Sequence, residues 1–498
     1  MAVGVPTPSA ISDYSACARL LSALKGSRLY IGTILNSNAT QASGSYWAGL
    51  RNGFRTRGYP NWGSRCIQPS YNSWAAAAPG SAMQIGQDAF GGYIDMNPAN
   101  LPIGSFVTTG APAAIQAYQS FHPGINDALG GTKPIQSGAT TEPSGFGYII
   151  HGVESGKATN STGGSNGYAA IGNAADTSQR LGNYGVDPIA YYGSFYRYDG
   201  TGRLRGFIRI AGSPYTRLAT LDSGLGVDTS WKDFVLTPSL TGAINGYEFK
   251  AATDDNGGGN QSLAQVFIQP GQWVRPDLTT GIAVGEFWNQ GGKSLLIAAA
   301  TIVNLALNRP LVLEEQLRCA IRSDPNNMHV CIYVKHGHND VNETALDAIK
   351  PDGSTLAGVK SNTAQGHTQN LETVLSCYRT AWMNLCSRLG LPNAAARFHC
   401  VSGGLHDAGG GYTSAFFNYY QSDAAWFAAN RQYNGFAING NLFGSNAELN
   451  AAGYVGATYG QNHMGSSTAY NALGLWEVQS MEAAARKRAA LAVATDII

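Results

Sequence analysis

The chain has 498 residues, of which 44% are hydrophobic and 13% are charged, and its formal net charge at pH 7 is +1. This length is too great for one compact core and the apolar content is too high for intrinsic disorder, so we expect two globular units. The near-neutral charge and the absence of a basic block disfavour a nucleic-acid partner.

The amino-terminal residues, MAVGVPTPSAISDYSACARLL, lack the basic start and the long apolar core of a secretory signal. The longest apolar run, residues 295–307, is too short to span a bilayer and contains an asparagine. We therefore expect a soluble protein without a membrane span, although the sequence does not define its compartment.

The cysteines are odd in number, scattered along the chain, and never form a CxxC pair. Most lie in apolar patterns, which favours buried free thiols over a disulfide framework. We also expect no cysteine metal cluster. The seven residues are Cys17, Cys66, Cys319, Cys331, Cys377, Cys386 and Cys400.

The first two zones of the chain differ in texture. Residues 1–58 contain a predicted strand, RLYIGTIL, a turn rich in Ser and Asn, and a stretch with helical periodicity, SYWAGLRNGF. Residues 59–278 contain short alternating strands, such as YYGSFYRYDG, RLRGFIRIA and SLAQVFIQPG, between clusters of Gly, Asn, Asp, Ser and Pro. That pattern predicts an all-β unit, a sandwich or a jelly roll.

From residue 279 onward, predicted strands and helices alternate. GIAVGEFW precedes the helix KSLLIAAATIVNLAL, and MHVCIYV precedes LETVLSCYRTAWMNLCSRLG. A further strand, ARFHCVSGG, leads into a loop-rich region and then the terminal helix TAYNALGLWEVQSMEAAARKRAALA. The alternation predicts a parallel sheet covered by helices. The chain therefore reads as one α/β domain, residues 1–58 and 279–498, interrupted by a β-rich domain, residues 59–278.

Polar residues follow three of the predicted parallel strands. In open α/β sheets, ligands bind where the strands end at their carboxyl side. The strand ends carry residues 36–40 (NSNAT), residues 289–294 (NQGGKS) and residues 337–340 (GHND), and residues 459–464 (YGQNHM) precede the terminal helix. Together they offer a hydroxyl, a glycine amide, an amide side chain and an imidazole, which is the set that acyl transfer uses.

In chain order, the segments LNSNAT, NQGGKS, GHND and QNHMGSSTAYNALG resemble the four blocks of the SGNH (GDSL-type) esterases and lipases. The resemblance implies that Ser37 is the nucleophile, that Gly292 and Asn339 are oxyanion donors, and that His463 is the base. It also implies a flavodoxin-like, three-layer parallel-sheet domain and no cofactor. It covers residues 28–58 and about 279–492.

The sequence departs from that family at two blocks. Leu35 and Asn36 replace the Gly and Asp of the GDS block, and Gly460 stands where the DxxH block has its acid. A Ser–His dyad remains compatible with hydrolysis if another acceptor orients the imidazole. The departures equally fit a non-catalytic carbohydrate-binding protein, or a virion or surface structural protein, on a degenerate hydrolase scaffold.

Several neighbouring residues have competing interpretations. Ser37 can also be a turn or helix-cap residue. His406, in GGLHDAGGG, follows a strand as well and competes with His463 for the role of base. We expect Asn36, His338 and His406 to contact the substrate. His336, His338 and Asp340 can be drawn as a metal site, but no further ligands stand at a familiar spacing, so we expect no metal.

The strands of the middle domain are rich in aromatic residues, among them Tyr191, Tyr192 and Trp231. Such rings either form the core of a sandwich or stack on sugar rings. A sugar-binding domain beside an esterase pocket indicates an acylated carbohydrate, or another small ester, as the partner. The predicted reaction is removal of an O-acetyl group from a carbohydrate.

Overall fold

The structure is a computed structural model, and it describes residues 3–35, 46–63, 148–150, 167–171, 187–199, 203–210, 216–222, 228–237, 247–254, 265–289, 294–308, 310–341, 346–406, 411–455, 464 and 466–495. The chain divides into two compact units. The first is Met1–Trp62 with Leu278–Ile498, and the second is Gly63–Asp277.

The strands and helices have the following bounds. The strands are β1 Arg28–Leu35, β2 Tyr148–Ile150, β3 Gly167–Ile171, β4 Ala190–Asp199, β5 Arg203–Ile210, β6 Thr216–Asp222, β7 Asp228–Leu236, β8 Tyr247–Asp254, β9 Gln265–Val274, β10 Gly281–Asn289, β11 His329–Lys335, β12 Asp347–Ile349, β13 Thr355–Lys360, β14 Phe398–Ser402 and β15 Gly435–Ala437. The helices are α1 Tyr14–Gly26, α2 Tyr46–Thr56, α3 Leu295–Asn308, α4 Pro310–Ile321, α5 His338–Val341, α6 Ala364–Leu389, α7 Thr413–Ala429, α8 Asn446–Ala451 and α9 Ser467–Thr495. Within the described residues, no helix combines the length and apolar character that a membrane crossing requires.

A five-stranded parallel sheet forms the centre of the first unit. Its strand order is β10-β1-β11-β14-β15. All eight residues of β1 are buried, as expected for a parallel strand covered on both faces. Counting only the strands of this sheet, the order is 2-1-3-4-5, which is the order of flavodoxin-like doubly wound sheets. The predicted α/β architecture with a parallel central sheet is confirmed.

Helices cover both faces of this sheet because side chains alternate along each strand. On one face, Leu29 and Ile31 belong to a core that includes residues of α1, α2 and α9. On the other face, Phe287 stacks between Tyr30 and Tyr378, with 5.5 Å between ring centroids in each pair. Tyr378 belongs to α6, so this second layer is built by the helices that follow β10 and β11.

One prediction for this unit was wrong. The region between β14 and the terminal helix was expected to be rich in loops, but it contains the 17-residue helix α7, the short strand β15 and the helix α8. The sequence of α7, TSAFFNYYQSDAAWFAA, mixes aromatic residues with Asn, Ser and Asp, all of which are weak helix formers. Packing of α7 against α6 and β15 decides its conformation instead.

The second unit contains two four-stranded antiparallel sheets, with strand orders β2-β9-β4-β7 and β3-β8-β5-β6. The strands predicted from the alternating pattern correspond to β4, β5 and β9. Tyr191, one of the rings considered for sugar stacking, is fully buried and packs against Trp273 at 5.1 Å and Phe234 at 6.2 Å between ring centroids. Tyr191 is therefore a core residue. Face-to-face packing of the sheets stays a prediction.

The described cysteines support the interpretation as free thiols. All six are unbridged and buried, namely Cys17, Cys319, Cys331, Cys377, Cys386 and Cys400. Burial raises the pKa of the Cys331 thiol far above its usual value, so this thiol stays protonated and unreactive. Cys66 lies outside the described residues.

Candidate functional site

The order of the strands defines where a ligand site is expected. After β1, the next strand of this sheet, β10, pairs with one side of β1, and the following strand, β11, pairs with its other side. The direction of the strand order therefore reverses between β1 and β11, which defines a topological switch point. Ligands bind at the carboxyl ends of the strands at such a point. Leu35 and Lys335, the last residues of the two strands, are paired in register. The segments that follow Leu35 and Lys335 therefore begin side by side.

The residues that the resemblance singled out fall partly outside the described residues. This is the case for Asn36, Ser37, Gly292 and His463. Their flanking residues are described: Leu35 ends β1, Leu295 begins α3, and Met464 is fully buried in the core on the α1, α2 and α9 side. The roles given to the four residues stay predictions.

Asn339 follows a turn that only glycine fits. Gly337 has a φ of +142°, and a Cβ at this position would lie 2.1 Å from Cδ1 of Leu405. The turn ends β11 and starts the short helix α5, on which Asn339 is half-buried. The glycine of GHND thus permits the turn that precedes Asn339. Any side chain at residue 337 would displace Leu405 and strain the backbone.

Asp340 connects the third candidate block to the second. Its Oδ1 accepts a hydrogen bond of 2.9 Å from the backbone N–H of Leu295, the first residue of α3. A helix start leaves four N–H groups without an intrahelical acceptor, and a buried one needs a partner from elsewhere. This bond therefore ties the start of α3, which follows the NQGGKS segment in the chain, to the residue after Asn339.

His338 and His406, both expected to contact substrate, lie together in the structure. Nε2 of His338 donates to the carbonyl oxygen of His406 at 2.9 Å, and the two ring centroids are 5.5 Å apart. Both side chains are buried, at 6% and 1% exposure. The ring of His338 also packs edge-on against Phe416 at 4.8 Å. The pair is therefore a buried contact directly next to Asn339 in the chain.

The alternative metal site is not supported. His336 contacts the ring of Trp288 at 5.5 Å, while His338 turns toward His406, so the two imidazoles do not converge. Nowhere among the described side chains do three His, Cys, Asp or Glu residues group in a way that could hold a metal ion.

A buried histidine that the sequence analysis missed lies behind Asp340. His367 of α6 is stacked on Tyr419 of α7, with ring centroids 4.3 Å apart. Its Nδ1 is 4.0 Å from Oδ1 of Asp340, and its Nε2 is 3.7 Å from Oδ2 of Asp423. Burial alone would lower the pKa of His367, but the charges of Asp423 and Asp340 outweigh it, and the net pKa is raised.

Asp423, the second carboxylate beside His367, is held by hydroxyl groups. Thr368 Oγ1 and Ser402 Oγ each donate to it at 2.6 Å. Ser402 is the last residue of β14, so this network reaches a third strand end. The imidazole of His367 thus lies between the carboxylates of Asp340 and Asp423, which favour its charged form.

A second buried network lies on the other face of the sheet, at the end of β11. Glu477 of α9 is fully buried and accepts hydrogen bonds from Tyr46, from Tyr333 at 2.6 Å and from Lys335 Nζ at 3.0 Å. The Lys335 ammonium also lies 3.7 Å from the centroid of the Tyr46 ring. Burial lowers the pKa of Lys335, and the ion pair with Glu477 opposes that shift.

This network joins three elements that flank the candidate site. Tyr46 begins α2 after the segment that contains Ser37, Lys335 precedes the GHND turn, and Glu477 lies on the helix that follows His463. Burying an ion pair rarely gains stability over apolar packing, so its benefit is a fixed arrangement of these elements. Only a weak signal in the sequence indicates this network: a lysine ends an apolar strand, and a glutamate lies inside an apolar helical stretch.

Acid is expected to destabilise the fold through buried neutral histidines. Burial lowers the pKa of His336 to about 3 and that of His399 to about 3, whereas their ordinary value is 6.5. The unfolded chain then binds more protons below pH 6.5, so the free energy of unfolding falls as pH falls, by about 2 kcal/mol per histidine from pH 7 to pH 5. The raised pKa of His367 adds no dependence below pH 6.5, because the residue is protonated in both states there.

Urea unfolding of the full chain at pH 7, 6 and 5 measures this dependence. In the His336→Gln variant the slope of unfolding free energy against pH between 6 and 5 should decrease by about 1.4 kcal/mol per pH unit, one proton's worth. A variant with an unchanged slope would show that His336 does not carry a lowered pKa.

Replacing Asp340 is expected to disturb both of its partners. Asp340→Ala removes the acceptor for the Leu295 amide, which costs about 1–2 kcal/mol as for other helix caps, and it leaves His367 with Asp423 alone. Asp340→Asn keeps an oxygen acceptor for the amide and should lose less stability. If Asn339 serves the reaction, Asp340→Ala should also lower kcat about tenfold or more. Urea unfolding and turnover of p-nitrophenyl acetate measure the two effects, and Asp352→Ala, in an exposed turn, is the control.

Comparisons with known proteins give low similarity. The chain matches no protein-family model and no curated protein. Among solved structures, it is similar to a peptidoglycan O-acetylesterase at 12% identity and a TM-score of 0.41, covering 96% of this chain and 99% of that chain. It is also similar to a family two carbohydrate esterase from Cellvibrio japonicus at 11% identity and a TM-score of 0.23, covering 68% of this chain and 96% of that chain. Similarity at this level assigns neither a family nor an activity.

Proposed function

We propose that this chain is a serine esterase of the SGNH type that removes an acyl group, an O-acetyl group in the first instance, from a carbohydrate. Ser37 is the nucleophile, His463 is the general base, and Gly292 and Asn339 supply the oxyanion donors. No cofactor or metal takes part. Asn36, His338 and His406 belong to the surroundings of the substrate.

The observation that carries this proposal is the hydrogen bond from the Leu295 amide to Asp340 at the switch point of the sheet. It links the residue next to Asn339 with the helix that begins three residues after Gly292. Leu35, two residues before Ser37 in the chain, pairs in register with Lys335 at the end of β11. These described neighbours of three candidate blocks support the proposal, because doubly wound sheets bind ligands at this edge.

In the proposed reaction, Ser37 Oγ attacks the ester carbonyl carbon while His463 accepts the hydroxyl proton. The carbonyl oxygen becomes an oxyanion, which the Gly292 N–H and the Asn339 side-chain amide stabilise. The C–O bond to the sugar then breaks, and His463 returns its proton to the departing sugar hydroxyl. Water, deprotonated by His463, attacks the acyl-serine and releases the carboxylic acid and the free serine.

The altered fifth block bears on how the base is oriented. With Gly460 in place of an acid, the second ring nitrogen of His463 needs another acceptor. A backbone carbonyl can fill that role in a Ser–His dyad. This arrangement predicts slower turnover than in a complete triad, because a carbonyl stabilises the imidazolium less than a carboxylate does.

Active-site labelling tests the proposal directly. A fluorophosphonate reacts with an activated serine and leaves a stable adduct that peptide mass spectrometry locates. We expect a single adduct on the peptide that contains Ser37, and no adduct after heat denaturation. Labelling elsewhere would reassign the nucleophile. No labelling, together with no turnover of p-nitrophenyl acetate, would favour the non-catalytic carbohydrate-binding or structural protein.

The substrate class is tested by comparing esters. Release of acetate from O-acetylated polysaccharides should exceed that from the same polymers after chemical deacetylation. Turnover should fall from p-nitrophenyl acetate to p-nitrophenyl palmitate if the acyl pocket is small. The reverse order would indicate a lipase on long acyl chains.

A further inference from the structure

A cavity at the opposite edge of the sheet has no role in the proposed reaction. It has a volume of 320 Å³ and lies at the amino ends of β11 and β14, between α1 and α9. It is lined by Ser15, Ala18, Arg19, Ser22, Ala23, His329, Ala396, His399 and Arg488. Three of the proposed catalytic residues, Ser37, Gly292 and Asn339, follow the carboxyl ends of β1, β10 and β11 in the chain, whereas this cavity lies at the amino ends of β11 and β14.

The lining of this cavity is basic. Arg19 from α1 and Arg488 from α9 bring two guanidinium groups, and none of the lining residues is acidic. Arg488 Nε donates to the hydroxyl oxygen of Ser15 at 3.3 Å. The nearby carboxylate of Asp13 already accepts from the Ser15 amide at 2.7 Å and from the next amide along α1. Guanidinium and hydroxyl donors in a lining without an acidic residue are groups that recognise oxyanions.

Two imidazoles form the inner wall. Nδ1 of His329 and Nε2 of His399 are 3.0 Å apart, and the rings stack with centroids 5.3 Å apart. His399 is only 2% exposed, and its Nδ1 is buried with no hydrogen-bond partner. A buried polar atom without a partner is uncommon in folded proteins and indicates a missing water or ligand.

Burial, with a smaller contribution from neighbouring cations, disfavours the charged form of both imidazoles. Burial, and next the Arg397 charge, lower the pKa of His329 to about 4. Burial lowers the pKa of His399 to about 3, with His329 and Arg19 adding to that effect. Arg397 itself has a favourable charge–charge interaction with the carboxylate of Asp324. The cations near the pair are therefore Arg19 of α1, Arg488 of α9, and Arg397 in the turn before β14.

We propose that this cavity binds a small oxyanion, a sulfate-like, phosphate or carboxylate group, and that the His329–His399 pair takes up a proton when the anion binds. The anion pairs with the two guanidinium groups of the lining. Its negative charge also favours the charged form of a nearby imidazole. A protonated pair also presents an additional N–H donor. Because binding and protonation favour each other, the affinity for the anion rises as pH falls.

Titration calorimetry of the full chain tests the site. The probes are sodium sulfate, which does not titrate between pH 6 and 7.5, and sodium acetate as the carboxylate. We expect binding that is about tenfold tighter at pH 6 than at pH 7.5, and Arg19→Gln or Arg488→Gln should each weaken it by about tenfold, which is ~1.4 kcal/mol. Arg431→Gln, an exposed arginine elsewhere on the same unit, is the matched control and should bind as wild type.

Proton uptake is measured by repeating the sulfate titration in two buffers with different ionisation enthalpies. Wild type should take up a fraction of a proton per anion, whereas His399→Gln should bind with little uptake, its folding being checked by thermal denaturation. Absence of binding at tens of millimolar, or equal binding by wild type and both arginine variants, overturns the site. Equal affinity at both pH values overturns the proton coupling. Acetate binding without sulfate binding restricts the ligand to carboxylates.

Discussion

Replacing Ser37 by alanine is expected to lower kcat for p-nitrophenyl acetate by at least about 1000-fold. The substitution removes the oxygen that we propose forms the acyl-enzyme, and water cannot use the same geometry with comparable efficiency. KM should change little, because the hydroxyl contributes mainly to the transition state. Steady-state kinetics, with fluorophosphonate labelling in parallel, measures both the loss of turnover and the loss of the adduct.

Two matched variants show whether the loss of turnover is specific to Ser37. Ser354→Ala, in the exposed turn between β12 and β13, should leave turnover unchanged. Asn339→Ala removes one oxyanion donor and should lower kcat by about 100-fold or more while the Ser37 label still forms slowly. Wild-type turnover by Ser37→Ala would end the assignment of the nucleophile, whatever the fate of the anion cavity.

Replacing Glu477 by leucine is expected to be the most destabilising single substitution at the sheet edge. Glu477 is fully buried and is the counter-ion of Lys335, whose side chain is 5% exposed. Without Glu477 the ammonium stays buried without a negative partner, the Tyr333 hydroxyl loses its acceptor, and the Tyr46 hydroxyl keeps only the oxygen of Tyr333. The expected loss is about 3–5 kcal/mol in the free energy of unfolding, measured by urea denaturation.

A double-mutant cycle separates the ion pair from its packing. Lys335→Met/Glu477→Leu removes both charges and should recover most of the lost stability, since a buried pair can be replaced by apolar groups at little cost. The same double variant should still lose kcat, because Tyr46, at the start of α2, loses its bond to Glu477 and keeps only the one to Tyr333. The half-exposed pair Arg57–Glu482, 2.8 Å apart, is the control, and Arg57→Met should cost less than about 1 kcal/mol. Purely additive losses at Lys335 and Glu477 would contradict the coupling.

The local pattern of the sequence was sufficient for the sheet. The apolar run RLYIGTIL coincides with β1, and GIAVGEFW and MHVCIYV correspond to β10 and β11 within one residue. These strands are buried on both faces, so their apolar runs are continuous and bounded by polar residues. The turn chemistry of GHND also identified a strand end correctly, because Gly337 occupies a backbone conformation that other residues avoid.

Long-range polar networks could not be predicted in the same way. Lys335 and Glu477 are 142 positions apart, and nothing in either local pattern indicates the other. His367 sits on an ordinary helical face, and its importance comes from Asp340 and Asp423, which reach it from two other helices. The strand β15 has three residues, too few to show a period, and only its place beside β14 defines it.

The central strand has an unusual position in the order of synthesis. β1 ends at Leu35, whereas its partners β10 and β11 begin only at Gly281 and His329. A ribosome adding about 5–20 residues per second leaves this apolar segment without a neighbour for roughly 10 to 50 seconds. Meanwhile the second unit is completed. A shortened product that stops before His329 keeps one edge of β1 open, which makes premature termination or proteolysis in that interval a direct route to aggregation.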